Sequence, residues 1–187
     1  MPHVNMMEAD LAALVVIDVQ EKMLATITTS PVKGLIERLV GLIKAAQLLG
    51  MPVLYTEQYP QGLGGTDRSL ADALSGAVGP IVKTTCSCWR DEGFRGALQK
   101  TEREHIILAG LEAHVCIQQT ALDLLRVDYV PFVPMDAIGS RKQADYDGAI
   151  ARMRQAGVEL STTESLIFEL VERCDHPRFK DILKLIK

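Results

Sequence analysis

The stretch His105–Leu125, HIILAGLEAHVCIQQTALDLL, constrains the fold more than any other part of the chain. Its opening run, His105–Ala109, is apolar at consecutive positions, which fits a strand covered on both faces. Gly110 breaks that run, and a helical pattern follows with Ile117, Ala121, Leu124 and Leu125 on one face. A strand covered on both faces needs a helical layer on each side, and the rest of the chain supplies the material. Apolar runs at Ala12–Asp18, Pro52–Thr56, Pro80–Lys83, Tyr129–Val133 and Val158–Leu160 read as further strands. Between them lie helical patterns: one opened by Pro31 and closed by Gly50, a short one around Ser69–Leu74, then Gly93–Lys100 and Gln143–Ala156. Another follows a Thr162 or Thr163 cap, and His176–Ile186 closes the chain with an amphipathic stripe.

This alternation, without repeats or linkers, predicts a single α/β domain over residues 1–187. The expected architecture is a three-layer αβα sandwich, Rossmann-like, with a mostly parallel sheet of about six strands. Pro131 inside its strand suggests an edge position or a bulge. The segment from Val19 to Met23 reads as an irregular loop. Tyr59–Thr66, YPQGLGGT, reads as a mobile rim, because its glycines lack the helix and acidic residue of a dinucleotide fingerprint.

Composition narrows the function classes. The net charge is −4 and aromatic residues make up 5% of the chain, with no long basic run. Nucleic acid is therefore not an expected partner, although a nuclease is not excluded. No apolar run is long enough to span a bilayer, and the first residues carry neither a signal pattern nor a transit pattern. A cytoplasmic protein with its four cysteines reduced is the expectation.

Three of the predicted strand ends carry chemistry: Asp18, Lys83 and Cys116. In a parallel sheet these ends share one edge, where open α/β sheets bind their ligands. Cys116 falls between a buried strand and the first turn of a helix, where free backbone N–H groups and the helix dipole favour a thiolate. A carboxylate beside it can take its proton, and an ammonium can stabilise the developing anion. Each residue alone also has a plain structural reading: a buried cysteine, a loop or cap aspartate, a solvated strand-end lysine. Their joint placement favours catalysis.

The motifs VVIDVQEKM, Val82–Lys83, GLEAHVCIQQTALD and PMDAIGSR together resemble the isochorismatase-like cysteine hydrolases over nearly the whole chain. RMRQAG and HPRF suggest the branch of isochorismatase-domain proteins found in eukaryotes. The resemblance implies Asp18 as base, Lys83 as electrostatic partner and Cys116 as nucleophile. It also implies a cis peptide at Leu111–Glu112 that aims the amides of Glu112 and Cys116 as an oxyanion hole, and a homo-oligomer. It departs from nicotinamidases, because YTEQYPQGLGG holds no metal-binding histidine and His3, His105, His114 and His176 are scattered. No metal and no cofactor are expected. True isochorismatases lack the cysteine.

The expected substrate pocket takes Gln20, Met23, Tyr59, Cys88 and Trp89, with Met23 where the family usually has an aromatic. Gln20 either orients substrate or bonds the loop, and Trp89 either walls the cleft or packs inside. Cys86 and Cys88 lack the companions of a zinc site. His114 is expected to face solvent or a neighbouring subunit, and Cys174 to be structural. A small-molecule amide or related C–N hydrolase working through a thioester is the leading reading. A silent binding or thiol-redox protein, and an enol-ether or ester hydrolase that does not use the cysteine, are the alternatives.

Overall fold

The computed structural model describes residues 6–186; His3 lies outside them. Seven strands form one sheet: β1 (Ala12–Ile17), β2 (Val53–Gln58), β3 (Val78–Lys83), β4 (His105–Leu111), β5 (Val130–Pro134), β6 (Ile138–Gly139) and β7 (Glu159–Ser161). They run β3-β2-β1-β4-β5-β7, with the two-residue β6 also on β4, and every pair is parallel. Helices α1 (Glu21–Leu24), α2 (Val32–Leu48), α3 (Pro60–Leu63), α4 (Glu92–Gln99), α5 (Gln118–Leu125), α6 (Gln143–Ala156), α7 (Thr163–Val171) and α8 (Phe179–Leu183) complete the chain.

The central strands show why three layers form. Leu14 and Val16 of β1, with Ile107 and Ala109 of β4, join one apolar cluster with Leu35, Leu39 and Ile43 of α2 and Ile167 of α7. The residues between them, Ala13, Val15, Ile17, Ile106 and Leu108, join a second cluster with Phe94 of α4, Ala121 of α5 and Met153 of α6. Strand residues alternate between faces, so an unbroken apolar run feeds both helical layers at once.

Several expectations are corrected. β4 does not stop at Gly110 but runs through it to Leu111. Gly110 has φ 127° and lies so close to β1 that a Cβ there would collide with the Ile17 carbonyl. Pro131 is neither on an edge nor in a bulge, since β7 lies outside β5. The Val130 N–H donates to Glu104 O on the β4 side, so the Pro131 nitrogen faces β7, whose pairing starts only at Phe132. The segment after Asp18 includes helix α1, and the closing helix is only Phe179–Leu183. Before it the chain turns at His176–Arg178, where the Arg178 N–H donates to His176 Nδ1. The short helix around Ser69–Leu74 is a single 3-10 turn, Arg68–Leu70, capped by Asp67.

The Tyr59–Thr66 segment is strapped down along its length. Gly65 O accepts from the Glu21 N–H, Val19 O from the Asp67 N–H, and Gly62 O from Lys22 Nζ. Glu57 holds its end, accepting from both the backbone N–H and the hydroxyl of Thr66 at 2.7 Å.

Candidate active site

Asp18 follows β1, Lys83 ends β3, and Cys116 sits in a π-helical turn, Ala113–Ile117, that leads from β4 into α5. All three lie at the carboxyl edge of the sheet. By strand alternation the residue after Ile17 would point into the α2 layer. Asp18 instead adopts φ 53°, a left-handed backbone that turns its side chain to the α4–α6 side, where Lys83 and Cys116 are. Such a backbone on a buried non-glycine residue persists only where its surroundings impose it.

The three side chains meet. Lys83 Nζ donates to Asp18 Oδ2 at 2.7 Å and lies 3.8 Å from Cys116 Sγ. Asp18 lies close enough to Cys116 for its charge to act on the thiol. Asp18 is 0% exposed, Lys83 1% and Cys116 4%. The ammonium is held further by Gln58 Oε1 at 2.7 Å and by the carbonyls of Thr85 and Cys86 at 3.2 and 3.5 Å. Asp18 Oδ1 accepts from Thr56 Oγ1 at 2.7 Å.

Burial alone would pull the Lys83 ammonium down. The neighbouring Cys88, Asp18 and Cys116, together with the Asp18 hydrogen bond, outweigh it and hold the group protonated above its usual range. Cys116 goes against expectation. Burial, then the Asp18 charge, push its thiol up well beyond the ordinary range despite the attraction of Lys83. The helix start does not make a standing thiolate here. The arrangement is a thiol beside a buried carboxylate that can take its proton, with an ammonium in contact with both.

The expected cis bond at Leu111–Glu112 is trans; among the described residues only Gly79–Pro80 is cis. Glu112 makes the sharp turn with φ 59° and ψ 60° instead. Its carboxylate is gripped by Arg141 through two bonds of 3.0 and 3.1 Å, and its carbonyl accepts from the Val115 and Ile117 N–H groups. His114 faces neither open solvent nor the sulfur. Its Nδ1 lies 3.1 Å from Ser140 Oγ, and its Nε2 lies 3.6 Å from Glu112 and 3.9 Å from Asp145.

The expected pocket residues divide. Gln20 is a strut: its Nε2 donates to the carbonyls of Gln58 and Gly64, and its Oε1 accepts from the Gln58 N–H at 2.8 Å. Tyr59 belongs to the rim, with its N–H on Lys83 O at 3.1 Å and its half-exposed ring over Gly62. Met23 is buried in the α2-side core, away from a cleft. Trp89 packs edge-on against Tyr129 at 5.5 Å and lines a surface hollow with Arg103 and Glu104, at the opposite edge of the sheet. Cys88 is fully buried beside the three site residues, its thiol pushed up to about 12 by burial, whereas Cys86 and Cys174 are exposed.

Sequence reasoning missed Thr56 and Gln58, the residues of β2 that hold Asp18 and Lys83. The signal was two polar residues spaced by two on an apolar strand, but the predicted strand ended at Thr56. Among the described residues no group of three His, Cys, Asp or Glu side chains is placed to hold a metal ion.

The Isochorismatase domain model matches residues 12–165. Mouse isochorismatase domain-containing protein 2A is 41% identical over 175 residues, which span 91% of this chain and 80% of the mouse protein. The structure of MAR1 ribonuclease from Caenorhabditis elegans superposes with a TM-score of 0.88 at 37% identity, over 97% of this chain and 92% of that one. The ycaC gene product of Escherichia coli, described as an octameric hydrolase of unknown specificity, gives a TM-score of 0.87 over 100% and 96% of the two chains. At 23% identity that last likeness bears on the fold alone.

Proposed function

The chain belongs to the isochorismatase family, whose fold is of the hydrolase type, and from that premise we propose that it is a metal-independent cysteine hydrolase of small amides or related C–N compounds. The observation that carries this reading is the buried contact set of Cys116 Sγ, Asp18 and Lys83 Nζ, with 3.8 Å between sulfur and ammonium. As Cys116 Sγ attacks the carbonyl carbon, its proton passes to Asp18, so no free thiolate has to persist in a site that disfavours it. Lys83 stabilises the charge that gathers on sulfur as its proton leaves. The carbonyl oxygen becomes an oxyanion facing the first-turn amides of the π-helix, of which the Cys116 N–H is the donor we assign. With Leu111–Glu112 trans, the Glu112 amide is not assigned to it.

Collapse of the adduct breaks the C–N bond, and Asp18 returns its proton to the leaving nitrogen. Water then attacks the thioester with Asp18 as base, which releases the acid and restores the thiol. A homo-oligomer is part of the reading, supported by exposed Val78 and Val82 on the free edge of β3. Four unpaired thiols suit a reducing compartment such as the cytoplasm.

The test is ammonia or amine release from a panel of amides, carbamoyl and ureido compounds, with Cys116→Ala as control and acyl-enzyme trapping by mass spectrometry. Turnover that survives Cys116→Ala would sink the cysteine mechanism. The name of the C. elegans neighbour favours a second reading, ribonuclease activity. The net charge of −4 and a deeply buried site count against it, and cleavage of a labelled RNA by the wild type but not by Asp18→Asn would establish it.

A further inference from the structure

Asp18 is held from two sides by a residue that itself contributes no reacting atom. Thr56 lies on β2 next to β1 and is almost completely buried. Its carbonyl accepts the Asp18 N–H at 3.2 Å, and its hydroxyl reaches Asp18 Oδ1 at 2.7 Å. A carboxylate can only accept, so the Thr56 hydroxyl is the donor. Nearby Cys88 is fully buried, and its backbone N–H donates to Thr120 Oγ1 at 2.9 Å.

We infer that Thr56 is a positioning residue for Asp18: its hydroxyl and carbonyl lock the left-handed aspartate and keep a lone pair free for the Cys116 thiol. The inference rests on the cysteine-hydrolase reading of this site. Three facts converge on it. Lys83 occupies Oδ2 and Thr56 occupies Oδ1, so the carboxylate cannot rotate without losing a buried bond. Asp18 has φ 53°, a backbone that needs outside support, and Thr56 supplies it at the main chain. Thr56 is β-branched and stiff at χ1, so its hydroxyl direction is set by the strand. Gln58, two residues on and on the same face, does the same for Lys83 Nζ. β2 thus holds both ions while contributing no reacting atom.

The donor on Oδ1 also fixes the direction from which the carboxylate can accept the thiol proton. Thr56→Val keeps the shape but removes the donor, and Thr56→Ser keeps the donor. The experiment measures the pseudo-first-order alkylation of Cys116 by iodoacetamide between about pH 5 and 9 in the full-length protein. Peptide mass spectrometry reads the product, with exposed Cys174 as internal reference. In Thr56→Val the acid limb of the Cys116 profile moves up by about one pH unit and the plateau falls roughly tenfold. In Thr56→Ser the limb stays in place and the plateau is within about threefold of wild type, on the same footing.

A merely structural Thr56 would lower thermal stability in its variants and leave the limb where it was, which overturns the inference. A limb displaced equally in Thr56→Ser overturns it as well. If Thr56→Val does not fold, Thr56→Ala is read by the same criterion. A different failure belongs to the function reading itself. Should wild-type Cys116 react no faster than Cys174 and show no acid limb, there is no base-assisted thiol for Thr56 to serve.

Discussion

Replacing Lys83 by Met tests how the site is held together. The Lys83 and Asp18 side chains are both 0% exposed and 2.7 Å apart. Removing the cation leaves a carboxylate in the interior whose remaining hydrogen bond, from the Thr56 hydroxyl, carries no charge. Breaking one side of a buried pair costs about 3–5 kcal/mol, because the surviving charge is uncompensated. Replacing both by neutral groups of similar size is close to neutral. Lys83→Met should therefore lose about 3–5 kcal/mol, and Asp18→Asn/Lys83→Met should recover most of that loss. With a urea m-value of about 2 kcal/mol/M, the single variant's midpoint falls by roughly 1.5–2.5 M. Equilibrium urea unfolding followed by circular dichroism and by Trp89 fluorescence reads both numbers in one transition. Additive losses in the double variant would mean the two groups are not a coupled pair, and the electrostatic basis of the site would fall with that result.

Three further outcomes follow from the same geometry. Cys88 is pushed up to about 12 from 9.0, and Cys116 is also raised. Their thiols thus stay protonated in the fold while the unfolded chain ionises above pH 9, so stability present below pH 9 is lost as pH rises. The slope is about 1.4 kcal/mol per pH unit for each thiol. Between pH 8 and 10 the two together cost about 3 kcal/mol, and Cys88→Ala should halve that pH-dependent loss in urea melts whatever its cavity does to the baseline; an unchanged loss refutes the assignment. Gln20→Ala removes three buried bonds to Gln58 and Gly64, so hydrogen exchange at Gln58 should quicken by about thirtyfold, equivalent to about 2 kcal/mol of local opening. Gly110→Ala puts a Cβ into the Ile17 carbonyl at φ 127°, and little soluble folded protein should be recovered; a variant that melts within a few degrees of wild type would contradict that close approach.

The layers were legible because burial is a short-range property of sequence. Ile106–Ala109 and Ala12–Ile17 are apolar at every position, and only a strand between two helical layers satisfies such a run. What could not be read were elements whose form is set by contacts distant in sequence. β6 is two residues long and exists only because Gly110 and Leu111 present an edge to it. The Tyr59–Thr66 segment looks mobile from its glycines, yet Gln20, Glu57 and Lys22 fix it from outside. Pro131 looks like an edge residue because the side to which its nitrogen points is not written in the local sequence.

The same division runs through the candidate site, and it explains why Asp18, Lys83 and Cys116 were easier to nominate than their protonation states. Asp18, Lys83 and Cys116 are each a reactive residue at a strand end or helix start, so position along the chain was enough to nominate them. The protonation of Cys116 was misjudged because a helix start argues for thiolate, whereas full burial next to a carboxylate argues more strongly for thiol. Burial of the sulfur depends on how Lys83, Cys88 and Asp18 close around it, which no local pattern states. Thr56 and Gln58 escaped notice for a related reason, since a threonine and a glutamine on a strand acquire meaning only through their neighbours on β1 and β3. A reactive group can be recognised by its type and place. The state in which it reacts is set by the residues that hold it, and here those residues belong to a strand with no reactive group of its own.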